Sequence, residues 1–328
     1  MLRLSRNGIG VLTSQYKSVL RKCAILNMFA AGLFMYAPNV HAAETGTNIA
    51  SLATMGTEIG ENKDYNKLYV TGTTANNIAE LFSESDKRSW LTNYGIIIIG
   101  INDEDVGVDT IIANKHSIPD TSSTSDMTPT QGGGVISNQN GYDATGGMIG
   151  AELRIGNTTF NNNSVSDFQT DGAEAVAAGG VLSNLSQRST GINNSVFKDN
   201  YALHFANAQG GAVYNGIVTS YGSSVASAQV ESSENEYNGN HVGNIELSVI
   251  PSSIITSWQN SPLYQDRTSG ITDRAQGGAV FNAGIFYSSN DTWKNNYARG
   301  KAASGGAIYN TMLDTTGSSM DDSIMTFY

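Results

Sequence analysis

The hexapeptide GGAIYN, Gly305–Asn310, decides how this chain is read, because the sequence writes it five times. Its relatives are GGVISN (Gly133–Asn138), GGVLSN (Gly179–Asn184), GGAVYN (Gly210–Asn215) and GGAVFN (Gly277–Asn282). Nothing in the word titrates near neutral pH, so it is a structural word before it is a chemical one. In an extended strand successive side chains alternate between faces, and the second, fourth and sixth positions share one face. That face reads glycine, then Ile, Leu or Val, then asparagine in every copy. The aliphatic points into a core. Glycine permits a tight corner or a close backbone approach, and asparagine ends the strand at the next bend. The fifth position swings between Ser and Tyr or Phe, which predicts an outward position.

A second word lies between the copies of the first: an aromatic followed three residues later by asparagine. Its copies pair Phe160 with Asn163, Phe197 with Asn200, Tyr237 with Asn240 and Trp293 with Asn296. Two of them run on into Tyr-Ala, at Tyr201-Ala202 and Tyr297-Ala298. The two words alternate strictly from Gly133 to Asn310. Stacked in parallel, each residue sits over its counterpart about 4.8 Å away, so asparagines form amide ladders and aromatics form stacks. No single repeat can bury its apolar face alone. The expected fold is all-β, a right-handed parallel β-helix over residues 131–328, preceded by a less regular N-terminal region. The first glycines of the word are separated by 46, 31, 67 and 28 residues. A solenoid repeat usually takes roughly 20 to 30 residues, so the longer intervals hold unmarked rungs or loops. The longest interval includes His241 to Ala275, with Pro251, Pro262 and SWQNSPLYQDR (Ser257–Arg267), and reads equally as a diverged rung or a projecting loop.

Residues 1–42 stand apart. Arg3, Arg6, Lys17, Arg21 and Lys22 precede an apolar run from Ala24 to Tyr36, and Val40-His41-Ala42 offers small residues where a signal peptidase cuts. The run is shorter than the ~20 apolar residues a membrane span needs, and a cleaved, extended secretory signal is the expectation. Residues 43–130 show no internal repeat. Within them YGIIIIGI (Tyr94–Ile101) predicts a buried strand, 77–91 one amphipathic helix, and 119–130 a linker or exposed loop.

With 36 glycines, 5 prolines and 14% charged residues, the composition favours turn-rich β structure over a helical bundle. Loss of the five basic residues of the leader takes the formal charge from −11 to −16. A field of that sign disfavours nucleic acid as a partner. The single cysteine, Cys23, leaves with the leader, so the mature chain takes its stability from burial and backbone bonding without disulfides. Asp103, Asp105 and Asp109 lack the oxygen spacing of an EF-hand loop and read as a solvated acidic turn. No zinc spacing, catalytic triad or phosphate loop is recognisable, and no metal or cofactor is expected. A polysaccharide lyase or hydrolase on a β-helix needs clustered acids on neighbouring rungs. Here the repeated words place amides and aromatics in those positions, and the acids are scattered.

The alternation of GGAIYN-type words with aromatic-x-x-Asn resembles the passenger regions of Gram-negative autotransporters, in particular the polymorphic outer membrane proteins. The resemblance covers Gly133 to Asn310. It implies a surface-exposed or secreted adhesin that binds a host or neighbouring-cell surface protein or glycan, exported through a C-terminal outer-membrane β-barrel. No barrel follows Asn310, since a barrel takes at least eight strands of about ten alternating residues. The expectation is therefore a passenger region of a fragment or truncated product, with Ser323–Tyr328 beginning another rung. The alternatives are a β-helical carbohydrate-active enzyme and a non-functional remnant.

Overall fold

The computed structural model describes residues 47–49, 57–59, 67–75, 89–117, 132–142, 148–167, 176–204, 207–219, 225–243, 272–311 and 324–327. Among them every regular element is a strand. The secretory leader, the linker over 119–130 and the segment SWQNSPLYQDR lie outside the described residues.

The strands assemble into five parallel sheets, numbered here in the order the chain visits them. Sheet 1 runs Thr47–Ile49, Lys67–Val70, Ile96–Ile99, Glu152–Gly156, Ser189–Asn193, Gln229–Ser233, Ile285–Ser289, Ile324–Phe327. Sheet 2 runs Thr73–Ala75, Thr110–Ala113, Thr158–Asn161, Val196–Lys198, Glu236–Asn238, Thr292–Lys294. Sheet 3 holds His116–Ser117, Ser164–Asp167, Tyr201–His204, His241–Gly243, Tyr297–Arg299. Sheet 4 holds Val176–Ala178, Asn207–Gln209, Arg274–Gln276, Ala302–Ser304. Sheet 5 holds Thr57–Ile59, Leu91–Asn93, Ile136–Gln139, Leu182–Leu185, Val213–Asn215, Val280–Asn282, Ile308–Asn310. From Glu152 onward the chain visits sheets 1, 2, 3, 4, 5 and returns to 1, and each pass hydrogen-bonds to the one before. All-β structure with parallel sheets is what the repeated words require, because parallel strands need connections that leave the sheet and come back.

The connections differ in how much they vary. Between sheets 2 and 3 each pass spends two residues, among them Asn162-Asn163, Asp199-Asn200 and Asn295-Asn296. Between sheets 4 and 5 each spends three, the Gly-Gly-aliphatic of the first word. These two corners carry the two words and never change length. The connections from 5 to 1, in contrast, take up antiparallel hairpins, Gly141–Tyr142 with Met148–Ile149 and Ile217–Thr219 with Val225–Ser227. Those from 3 to 4 span the undescribed stretches 168–175 and 244–271. Across the 67-residue interval between Gly210 and Gly277, Val213 pairs directly with Val280, and most of the segment His241 to Ala275 lies outside the described residues.

The core lies between the sheets. Ile136, Leu182, Val213 and Val280, the fourth positions of the word, are buried there with Val135, Val181, Ala212 and Ala279 before them. YGIIIIGI supplies a strand buried on both faces, Ile96–Ile99. It pairs with Lys67–Val70 and Glu152–Ile155, so the stacking begins N-terminal of the first repeated word. Of the helix expected over 77–91, residues 77–88 are not described, and at its end Trp90 is buried and Leu91 opens a strand of sheet 5. Ile324–Phe327 pairs with Ile285–Ser288, as a further rung would.

The fifth position of the word is not solvated. Ser137, Ser183, Tyr214 and Phe281 are all buried. Tyr214 stacks on Phe281 at 5.2 Å, and Tyr309 tilts against Phe281 at 5.6 Å. With Val176, Ala178 and Ala283 these rings form a separate apolar cluster. The side chain does face away from the main core, but a ring repeated at strand spacing finds its neighbours along the stack and excludes water itself.

Candidate functional site

The two glycines of the word serve two different needs. The first, at Gly133, Gly179, Gly210, Gly277 and Gly305, takes φ between 63° and 91°, the left-handed region open to glycine at little cost. The second needs space. A Cβ at Gly134, Gly180, Gly211 or Gly278 would lie 1.9–2.1 Å from the carbonyl oxygen of the corresponding glycine one pass on, Gly306 for the last of them. No contact of that kind is possible, so the second glycine sets how closely passes stack.

The asparagines of the first word form a continuous buried amide ladder. Asn138 Nδ2 donates to Asn184 Oδ1 at 2.9 Å, Asn184 to Asn215 at 2.9 Å, Asn215 to Asn282 at 2.7 Å and Asn282 to Asn310 at 2.6 Å. Asn93, which no glycine pair announces, heads the ladder by donating to Asn138 at 2.8 Å. The second word builds another ladder, Asn163 to Asn200 to Asn240 to Asn296, at 2.9, 2.9 and 3.0 Å. Its aromatics stack inward: Phe160 on Phe197 at 5.0 Å, Phe197 on Tyr237 at 4.9 Å and Tyr237 on Trp293 at 4.2 Å. These residues are structural framework, closed to a ligand along most of their length.

Where the second ladder meets the preceding pass, its slot is held by Lys115, whose backbone N–H donates to Asn163 Oδ1 at 3.0 Å. The Lys115 side chain is buried, with Nζ 4.2 Å from the centre of the Trp90 ring. A cation over an indole face recovers part of the desolvation cost. Beside it His116 is buried, its Nδ1 2.5 Å from Ser164 Oγ, while Nε2 has no hydrogen-bond partner among the described residues. Burial pushes the imidazole down to about 3.

A third ladder went unread in the sequence, because its members differ in type. At the corner from sheet 1 to sheet 2, Ser195 Oγ accepts the N–H of Thr158, Asn235 Oδ1 that of Ser195, and Asp291 Oδ1 that of Asn235. Burial raises the Asp291 pKa against the hydrogen bonds from Ser288 and Asn235. Tyr237 is raised well above its ordinary value by burial and by the nearby Asp291 charge. The sequence signal is the left-handed residue before each rung: Asn157, Asn194, Glu234 and Asn290 all have φ between 45° and 58°.

The chain matches no protein-family model, no curated protein and no solved structure.

Outward groups fall into two kinds. On sheet 3 the residues after the last three copies of the second word form a half-buried column, with Tyr201 on His241 at 5.2 Å and His241 on Tyr297 at 4.8 Å. Those rings spend their faces on one another and offer only their polar edges. On sheet 1 the outward rows are mixed, with Glu152, Arg154, Gly191, Glu231 and Tyr287. The loop Asn102–Asp109 beside it is a solvated turn: Asn102 Oδ1 accepts the N–H groups of Glu104 and Val106, and exposed Asp105 pairs with Arg154 at 3.3 Å. Among the described residues no three acids, histidines or cysteines converge as metal ligands would.

Proposed function

We propose that the chain coils as a right-handed parallel β-helix and serves as the surface-exposed or secreted passenger region of an autotransporter-like outer membrane protein. It works by attachment to a surface protein or glycan of a host or neighbouring cell. One observation carries this reading. The corners that hold the repeated words keep a fixed length, while the connections from sheet 5 to sheet 1 vary and carry the hairpin strands Gly141–Tyr142 with Met148–Ile149 and Ile217–Thr219 with Val225–Ser227. A rigid frame with variable loops on fixed sides is an arrangement suited to display and recognition. The buried amide ladders and inward rings supply the rigidity, and the chain carries its chemistry outside. An outer-membrane β-barrel is the expected export partner, in a Gram-negative bacterium.

The test is fractionation of the native producer with an antibody raised to residues 131–328, combined with protease shaving of intact cells. The expected result is an antigen at the cell surface, cut by protease and held in the outer-membrane fraction by a heavier product than this chain. An antigen confined to the cytoplasm sinks the reading. A product free in the periplasm that releases fragments from polysaccharides replaces it with the enzymatic alternative.

A further inference from the structure

Gly191 lies in the middle of the sheet 1 strand Ser189–Asn193, on its outward face. A glycine inside a strand weakens it, and marks a bulge, a bend or a place where another group approaches closely. There is no bulge or bend: Thr190, Gly191 and Ile192 keep unbroken parallel register with Leu153, Arg154 and Ile155 on one side and with Val230, Glu231 and Ser232 on the other. Its φ is not in the left-handed region. Among the described residues nothing lies within 4 Å of a Cβ built at Gly191. Other glycines of this surface are accounted for by the chain itself, with Ile101 3.0 Å from a Cβ at Gly156 and Arg188 2.8 Å from one at Gly150. No described residue of the chain fills the space over Gly191.

The surroundings of the notch are polar on all four sides. Arg154 and Glu231 flank it in the same column, roughly 10 Å apart at two strand spacings. Exposed Ser189 and Asn193 flank it along the strand. Two of these walls are held in place. Arg154 is tied to Asp105, and Glu231 Oε1 accepts Ser189 Oγ at 3.0 Å and Gln229 Nε2 at 2.7 Å. Beyond Glu231 in the column stands the half-buried ring of Tyr287.

We propose that the Gly191 notch is a binding site for a neutral hexose unit of a glycan. A guanidinium only donates and a carboxylate only accepts, whereas each sugar hydroxyl does both, so one ring can satisfy the two opposite walls at once. Ser189 and Asn193 add a hydroxyl and an amide at right angles to that axis. An anionic ligand meets Glu231 and a cationic one meets Arg154, each at the cost of an unpaired like charge. The Tyr287 ring offers an apolar surface to the next sugar of the chain. This inference deepens the attachment reading and rests on it.

The experiment uses the full secreted chain on a panel of immobilised neutral oligosaccharides ending in glucose, galactose or mannose, with free hexose as competitor. The expected result is capture by at least one of them, competed by free sugar. Gly191→Val fills the notch and is expected to lower binding by tenfold or more, about the loss of one or two hydrogen bonds. It leaves the melting temperature unchanged or raised, because a β-branched residue in open space suits a strand. Glu231→Gln is expected to weaken binding about tenfold through loss of a charged acceptor. Absence of capture on every neutral glycan overturns the proposal, as does capture that survives both substitutions, or capture of acidic glycans or peptides alone. Adhesion to whole cells separates the two levels. Equal adhesion of wild type and Gly191→Val sinks the notch and leaves attachment standing, and no adhesion of wild type to any cell sinks attachment.

Discussion

The two asparagine ladders look alike and hold different things. In both, Nδ2 of one pass donates to Oδ1 of the next. Along the corner between sheets 2 and 3, the Oδ1 atoms also accept backbone N–H groups: Asn200 Oδ1 that of Asn163, Asn240 Oδ1 that of Asn200 and Asn296 Oδ1 that of Asn240, at 3.0, 3.1 and 3.0 Å. Both ladders also donate Nδ2 to carbonyls, but at the end of sheet 5 those carbonyls lie in or next to the strands of sheet 1, Asn184 Nδ2 to Gln229 O and Asn215 Nδ2 to Ala228 O and Ile285 O. The ladder of the second word therefore completes the backbone bonding of a corner that strand pairing does not reach. The ladder of the first word ties sheet 5 to the incoming strand of sheet 1 after the connection has run its course. That difference explains why the corner from 2 to 3 keeps two residues in every pass, while the connection from 5 to 1 accommodates hairpins.

Substitutions can break this comparison in order of size. Gly211→Ala is expected to have the largest effect, because its Cβ would meet Gly278 O at 2.1 Å and His241 N and O at 2.6 Å. Passes there cannot stack at their native distance, and the loss is expected to exceed about 4 kcal/mol, read as absence of a cooperative unfolding transition. Asn200→Ala comes next. It strands a buried backbone N–H, two amides and the Phe160 carbonyl, for about 3 to 5 kcal/mol by chemical denaturation. Asn184→Ala leaves the backbone N–H groups paired and is expected to cost about 1 to 2 kcal/mol less than Asn200→Ala. Equal losses at the two positions erase the distinction between the ladders.

The head of the shorter ladder gives a pH-dependent test. His116 is neutral in the folded chain down to about 3, against 6.5 when exposed. A base with a depressed folded pKa stabilises fully above 6.5, and that contribution is lost as pH falls toward 3, at about 1.4 kcal/mol per unit. The expected acid slope in this window disappears in His116→Gln, and a slope that persists assigns it to other groups. The smallest effect belongs to Asn310, the last and exposed rung, where Asn310→Ala is expected to stay within about 0.5 kcal/mol of wild type.

Much of this was legible because identical residues recur where identical backbone demands recur. The first glycine, the inward aliphatic, both asparagine ladders and the aromatic stack follow from alternation and strand spacing alone. Asn93 was not legible, because Arg88-Ser89 stands in the sequence where a glycine pair announces the later copies. Lys115 was not, because a cation occupies an amide slot only when an aromatic face such as Trp90 lies over it. The fifth position of the word was misjudged since alternation tells which face a side chain leaves from and not what covers that face.

Sequence by itself determined that the chain is parallel, all-β and corner-locked by two words, since local backbone geometry admits few residues at a left-handed corner or a close approach. Tertiary structure alone decided which unannounced residues join the ladders, Asn93 at the head of one and Lys115 at the head of the other. It also turned the unequal intervals of 46, 31, 67 and 28 residues into successive passes, by pairing Asn138 with Asn184, Asn184 with Asn215, Asn215 with Asn282 and Asn282 with Asn310. It also decided that no described residue lies over Gly191, because a glycine's surroundings are set by strands 37 and 40 residues away, those of Arg154 and Glu231.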